Sequence, residues 1–312
     1  MSSRAIVSRP RRLGAALVAS ALVIGLVSVG HAGAAAGGTL VAWGYNNLHY
    51  DVNPPADLRD VKKISVNFAH GVALRSDGSV VGWGQGYRRD TPAWGSGVVA
   101  VAAGGSHDLA LRADGTVIGR NLYSTEPIDL PLGLVGVRAI AAGGHHDLAL
   151  KADGSVQAWG NNDHGQATPP AGLRDVVAIA AGAYHSLALK GDGTIVAWGR
   201  DDLKQGSVPR VLAGGGVKAI TAGDYHNLAL KHDGTVVGWG HDDDGRATPP
   251  WSLSEHEVVA IAAGTFLSLA LRRDGKVVAW GYNSATSAAP PKDLWGVTAI
   301  AAGEVSGLAL VG

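Results

Sequence analysis

Short apolar runs separated by polar turns recur along the chain, and one stretch shows the pattern most cleanly. Residues 176–199 read VVAIAAGAYHSLALKGDGTIVAWG. Small and β-branched residues at Val177–Ala181 predict one strand, Leu187–Leu189 a second and Thr194–Trp198 a third. The Asp192-Gly193 pair between the last two predicts a tight hairpin of type I′, whose two central residues need positive φ. A polar loop follows Trp198-Gly199. Beyond such loops lies a Pro-bearing stretch, Ala167-Thr-Pro-Pro170 in one copy, placed to supply a short outer edge strand where the missing Pro N–H is tolerated.

Near copies begin at Val98, Val137, Val217 and Val258, with a weaker one at Val61. The Asp-Gly step recurs at Asp77, Asp114, Asp153, Asp192, Asp233 and Asp274, at spacings of 37, 39, 39, 41 and 41 residues. Small antiparallel sheets repeating about every 40 residues predict a β-propeller. The last copy, Val297 to Leu310, stops where its hairpin should begin, and Gly38–Gly44 supplies the missing Trp-Gly strand. One blade is therefore shared between the two ends, which closes the ring and removes an open edge. The expectation is an all-β, seven-bladed propeller over residues 37–312, closed by the N-terminal strand pairing with the C-terminal blade.

Residues 1–36 read as a secretory signal peptide. Arg4, Arg9, Arg11 and Arg12 form a basic start, Leu13–Val29 is apolar, and Ala32-Gly33-Ala34 or Ala34-Ala35-Ala36 offers a cleavage site. The apolar run is shorter than the ~20 residues of a membrane span, so a secreted protein with no membrane attachment after cleavage is expected. Cleavage turns a formal net charge of zero into 22 basic against 26 acidic residues. A mildly acidic protein lacks the electrostatic footprint for nucleic acid. The absence of Cys excludes a disulfide framework, a thiolate zinc site and a Cys nucleophile.

The pattern A-G-x-x-H-S-L-A-L-K-x-D-G-x-V-x-A-W-G-x-N-x-x-G-Q resembles the regulator of chromosome condensation repeat family across nearly all of the mature chain. Within that family, the short blades, leader and shared terminal blade are most similar to the secreted propellers that inhibit class A β-lactamases with one end of the ring. That resemblance implies a protein partner, a class A β-lactamase or penicillin-binding protein. It also implies that the residue before each repeat His makes the main contacts. Those positions are Ala69, Ser106, His145, Tyr184, Tyr225, Phe266 and Val305. Three of the seven are small or aliphatic, a departure from the inhibitors' more aromatic ring.

Alternating strand directions assign the Asp-Gly hairpins to a lower rim and the Gly-x-x-His loops, with those after Trp-Gly, to an upper one. Arg75, Arg112, Lys151, Lys190, Lys231 and Arg272 each stand two residues before a lower-rim Asp and read as solvated charge pairs. Both Phe, all seven Tyr and a group of acids map to the upper rim. Aromatic residues on a rigid rim are the material of binding hot spots. The candidate partner-binding set is His145, Tyr184, Asp224, Tyr225, Phe266, Tyr45 and Tyr282. A cell-wall or carbohydrate-binding propeller is the alternative, and a guanine-nucleotide-exchange-type module a further one.

No catalytic residue, metal or cofactor is expected. His70, His107, His146, His185 and His226 occupy one repeat position. Neighbouring sheets lie ~10 Å apart, too far for equivalent His to share an ion at ~2.0–2.1 Å, so each is expected packed between blades and hydrogen-bonded to backbone. Ser106-His107-Asp108 are consecutive, so their side chains alternate between faces and cannot converge as a triad. Asp242-Asp-Asp-Gly245 lacks the ligand alternation of a calcium loop and reads as a polar turn. One blade breaks the repeat by placing Arg120 where the Trp belongs, either as a decayed copy or to re-aim a loop. A monomer is expected.

Overall fold

The computed structural model describes residues 38–44, 53–68, 70–87, 94–124, 128–282 and 288–312. Seven three-stranded antiparallel sheets form the blades. Six are continuous in sequence. The fourth, for example, is built from Val176–Ala181, His185–Lys190 and Ile195–Gly199, as inner, middle and outer strands. The seventh takes Val297–Ala302 and Ser306–Val311 from the C-terminus and Thr39–Gly44 from the N-terminus, with Leu40 opposite Leu310 and Ala42 opposite Leu308. Trp43 clamps this closure by donating its indole N–H to the Ala288 carbonyl at 3.0 Å. The leader read in residues 1–36 lies outside the described residues.

Apolar side chains pack between neighbouring sheets. Leu187 and Leu189 of the fourth blade meet Val217, Ile220 and Trp239 of the fifth. The repeated Leu-Ala-Leu strand thus faces both neighbours, since successive side chains alternate in direction.

Two local features differ from the sequence reading. The Pro-bearing stretches add no fourth strand among the described residues. They run as turns or short 3-10 helices, Arg210–Leu212 and Trp251–Leu253, that bury Leu212 and Leu253 in the core. The hairpins are not type I′ either. The Gly of each Asp-Gly pair has positive φ (Gly193, +80°), whereas the Asp does not. The Gly193 N–H donates to the Lys190 carbonyl and the Lys190 N–H to the Thr194 carbonyl, giving a three-residue loop with a glycine bulge. The Asp192 carboxylate closes it by accepting from the Thr194 N–H at 2.9 Å.

On six of the seven blades the inner loop carries a glycine at which an added Cβ would clash, and Asn67 stands in its place on the first. A Cβ on Gly182 would stand 2.5 Å from the Gly223 carbonyl oxygen, and one on Gly264 would fall inside contact distance of the Gly303 oxygen. Gly264→Ala is therefore expected to destabilise the ring by roughly 3 kcal/mol or more. Gly214→Ala, with open space around it, should be neutral or slightly stabilising. Urea unfolding of both variants checks this, and equal stabilities would contradict the close packing of the inner loops.

Candidate functional site

The recurrent His form a structural relay. His185 Nε2 meets the Asn227 side-chain oxygen of the next blade at 2.7 Å. His70 meets Asp108 at 2.9 Å, His107 meets Asp147 at 2.7 Å, His146 meets Ser186 Oγ at 2.8 Å and His226 meets Ser268 Oγ at 2.7 Å. These partners are side chains of the neighbouring blade, a correction to the backbone expectation. Four of the five acceptors immediately follow the His of their own blade, and Ser268 follows Leu267, so a middle strand that carries both gives a donor to one neighbour and an acceptor to the other. Asn227 passes the chain on by donating to the Gln205 carbonyl at 2.9 Å, which also accepts from the Trp239 indole at 3.1 Å.

Burial holds His146 down at about 3, His185 at about 4 and His226 at about 3, so these three are neutral at pH 7. Burial also works to lower His107, but the hydrogen bond and charge of Asp147 outweigh it and leave His107 raised. Asp147 is itself pushed up by burial. Among the described residues, no group of three His, Asp or Glu could hold a metal ion.

The irregular second blade is repacked internally. Arg120 stands opposite Asp108 in register, and its guanidinium lies 5.0 Å from the Tyr87 ring centre and 5.1 Å from that of Trp94. The Tyr87 hydroxyl donates to Asp108, and burial with the Asp108 charge raises the Tyr87 pKa strongly. Tyr87 is thus half-buried, with its hydroxyl turned inward to Asp108.

The upper rim gathers most of the predicted contact positions. Backbone hydrogen bonds from the residue after each Trp-Gly strand reach back to them: Arg200 N–H to Tyr184 O, His241 N–H to Tyr225 O and Tyr282 N–H to Phe266 O, at 2.9, 2.9 and 3.0 Å. Each of these pairs also packs together. The Arg200 guanidinium lies 5.5 Å from the Tyr184 ring centre, Tyr225 and His241 meet edge-on at 6.5 Å, and Phe266 and Tyr282 lie 6.1 Å apart. The loop of the preceding blade adds His164 against Tyr184 at 5.5 Å and Arg246 over Phe266 at 4.7 Å. The result is a two-tier arc across the fourth, fifth and sixth blades. Tyr184, Tyr225 and Phe266 are half-buried, Tyr282 is exposed, and His145 extends the arc as an exposed residue on the third blade. Tyr45 lies outside the described residues, as does Ala69.

Most acids on this rim are already engaged. Asp202 grips Arg200 and Asp244 grips Arg246 through paired contacts, and Asp243 meets His241 at 3.0 Å. Asp242 accepts from the Ala247 N–H and the Thr248 hydroxyl, which folds its loop as a polar turn. Asp224 differs: it lines a central cavity of about 70 Å³ together with the Ala and Gly ends of the inner strands. Burial raises the pKa of Asp224, and burial with the Asp224 charge raises that of Glu304.

Sequence reasoning missed Arg200, His241, Arg246 and His164 as the second tier, although all but Arg246 adjoin a Trp-Gly strand or a Gly-Gln turn. It also passed over Trp251 and Trp295, which are 75% and 64% exposed in the Pro-bearing stretches leading to the lower rim.

Five segments, 61–88, 137–166, 176–205, 217–246 and 258–285, match the regulator of chromosome condensation (RCC1) repeat. The chain is a seven-bladed propeller that carries five RCC1 repeats. Among solved structures it is similar to yeast RCC1 (Prp20) in its complex with Kap60, with a TM-score of 0.74 at 19% identity over 99% of this chain and 96% of that one. Saccharomyces cerevisiae Prp20p, described together with its binding to Gsp1p and histones, gives 0.69 at 19% identity over 87% and 91%. Human WBSCR16 gives 0.67 at 16% identity over 88% and 99%. At these identities the likeness establishes the RCC1-type fold. No curated protein matches the sequence.

Proposed function

We propose that this RCC1-repeat propeller is a secreted, monomeric, non-enzymatic protein-binding module that engages its partner through the upper-rim arc. The observation that carries this reading is the packing of Tyr184, Tyr225 and Phe266 against Arg200, His241 and Tyr282. Rings fixed in place by neighbours lose little freedom on binding, which is what makes aromatic anchors effective. The first partners to try are class A β-lactamases and related penicillin-binding proteins, on the resemblance of the blades, leader and shared terminal blade to β-lactamase inhibitory protein II. Nucleotide exchange on a small GTPase has less support, because an exported, mildly acidic protein suits neither that compartment nor that chemistry.

A second reading, attachment to cell-wall glycan, draws on the exposed Trp251 and Trp295, since flat aromatic faces stack on sugars and repeats allow multivalent contact. Titrating a panel of class A β-lactamases with residues 35–312, beside retention of the same protein on peptidoglycan, separates the two. Dose-dependent inhibition is the expected result. Retention on peptidoglycan with no lactamase inhibited would move the function to the second reading.

A further inference from the structure

Two carboxylates at the centre of the rim, Asp224 and Glu304, are held by no ion pair among the described residues, although Arg246 and His145 stand near enough to act on Asp224 through their charge. The acids around them are held by Arg200, His241 and Arg246. Asp224 accepts one side-chain hydrogen bond, from the Thr265 hydroxyl at 2.7 Å. The backbone brings both acids into the aromatic arc. The Ala183 N–H, beside Tyr184, donates to the Asp224 carbonyl at 3.3 Å, and the Phe266 N–H donates to the Glu304 carbonyl at 3.0 Å. Tyr184, Asp224, Tyr225, Thr265, Phe266 and Glu304 therefore lie on adjoining loops, with Asp224 lining the central cavity and near enough for its charge to act on Glu304.

Resting on the reading of this rim as the binding face, we propose that its partner presents a basic side chain, a Lys or Arg on a protruding loop, which enters between Asp224 and Glu304. The chemistry of such a side chain matches the surroundings. An aliphatic stem with a cationic head lays its methylenes on aromatic faces while the charge meets carboxylates. Burial raises both carboxyl groups and the Asp224 charge raises Glu304 further, and an incoming cation opposes both effects. An acidic or purely apolar loop would leave the two carboxylates desolvated and unpaired, which specific interfaces avoid.

The test pans a phage-displayed library of random disulfide-constrained loops on the mature protein. Binders are retained only if they lose binding to the Tyr184→Ala/Tyr225→Ala/Phe266→Ala variant. The expected result is that these rim-dependent loops carry Lys or Arg. They should weaken by about tenfold or more on Asp224→Asn and on Glu304→Gln, and weaken again as salt rises from about 50 to 500 mM. Both substitutions are isosteric, and Glu304→Gln also leaves the Asp224–Thr265 hydrogen bond in place, so a folding defect in one does not remove the test. Rim-dependent loops without a basic residue, or indifferent to both substitutions, would overturn the basic-partner assignment while leaving the rim as the binding face. Recovery of no rim-dependent loop would overturn both.

Discussion

Lowering the pH from 7 to 5 is expected to remove roughly 4–6 kcal/mol of stability, most of it through three buried histidines. In the unfolded chain a His takes up a proton as the pH falls through about 6.5. In the folded ring, burial holds His185 at about 4 and His146 and His226 at about 3, so none of them follows. The unfolded state binds more protons throughout this window, and stability falls with falling pH. Each His contributes about 1.4 kcal/mol per pH unit below 6.5, or about 2 kcal/mol by pH 5. His107 acts in the opposite sense, as do the raised carboxyls of Asp147, Asp224 and Glu304: a raised pKa adds stability on the acid side, which is why the expected loss is given as a range. Asp192 and Asp233, held at about 2 by hydrogen bonds within their hairpins, lose their contribution only below about pH 4, outside the window. Urea unfolding at pH 7 and pH 5 measures the difference. His226→Gln keeps a donor toward Ser268 and should reduce the pH dependence by about a third. Equal stability at the two pH values would contradict the buried, neutral relay.

Replacing Tyr184, Tyr225 and Phe266 together by Ala should weaken partner binding at least about a hundredfold while the ring stays folded. Truncating a central aromatic anchor typically costs about 2 kcal/mol or more, and about 2.8 kcal/mol already amounts to a hundredfold. The three side chains are half-buried in loops rather than in the cores between blades, so the loss falls on recognition. The same substitutions also strip Arg200, His241 and Tyr282 of their packing partners. The effect should therefore exceed that of removing three isolated contacts.

The ring was legible because its period is a property of the chain itself: six Ala-Gly units, a divergent seventh copy at Val61 and a terminal strand in need of a partner leave little other topology open. The hairpin type was not, since Asp-Gly also suits a three-residue loop in which the Asp carboxylate, rather than a positive φ, secures the turn. The His relay spans partners 38 to 42 residues apart, beyond the reach of local pattern. A signal for it nevertheless lies in the sequence. A polar residue follows the His position wherever the preceding blade carries a His. After Leu267 and Ser306, where the donor is gone, the corresponding residues are Gly307 and Gly71, each covered by an indole, of Trp43 and Trp83. On the rim, the repeat register located the three central aromatics. The second tier escaped because Arg and His read locally as solvated loop residues, and only the fold shows them packed against rings from the Gly-x-x-His loops. Tyr87 went the other way: its place after Trp-Gly matched the rim, but its hydroxyl turns inward to Asp108.

The central claim, that recognition belongs to the upper-rim arc, is tested most directly by titrating class A β-lactamase activity with three proteins. These are the wild type, the Tyr184→Ala/Tyr225→Ala/Phe266→Ala variant and a Trp251→Ala/Trp295→Ala variant. Inhibition by the wild type and by the Trp variant at similar concentrations is expected, with the aromatic-arc variant weakened at least about a hundredfold. Inhibition that survives loss of the arc and disappears with Trp251 and Trp295 would place recognition elsewhere and contradict the claim.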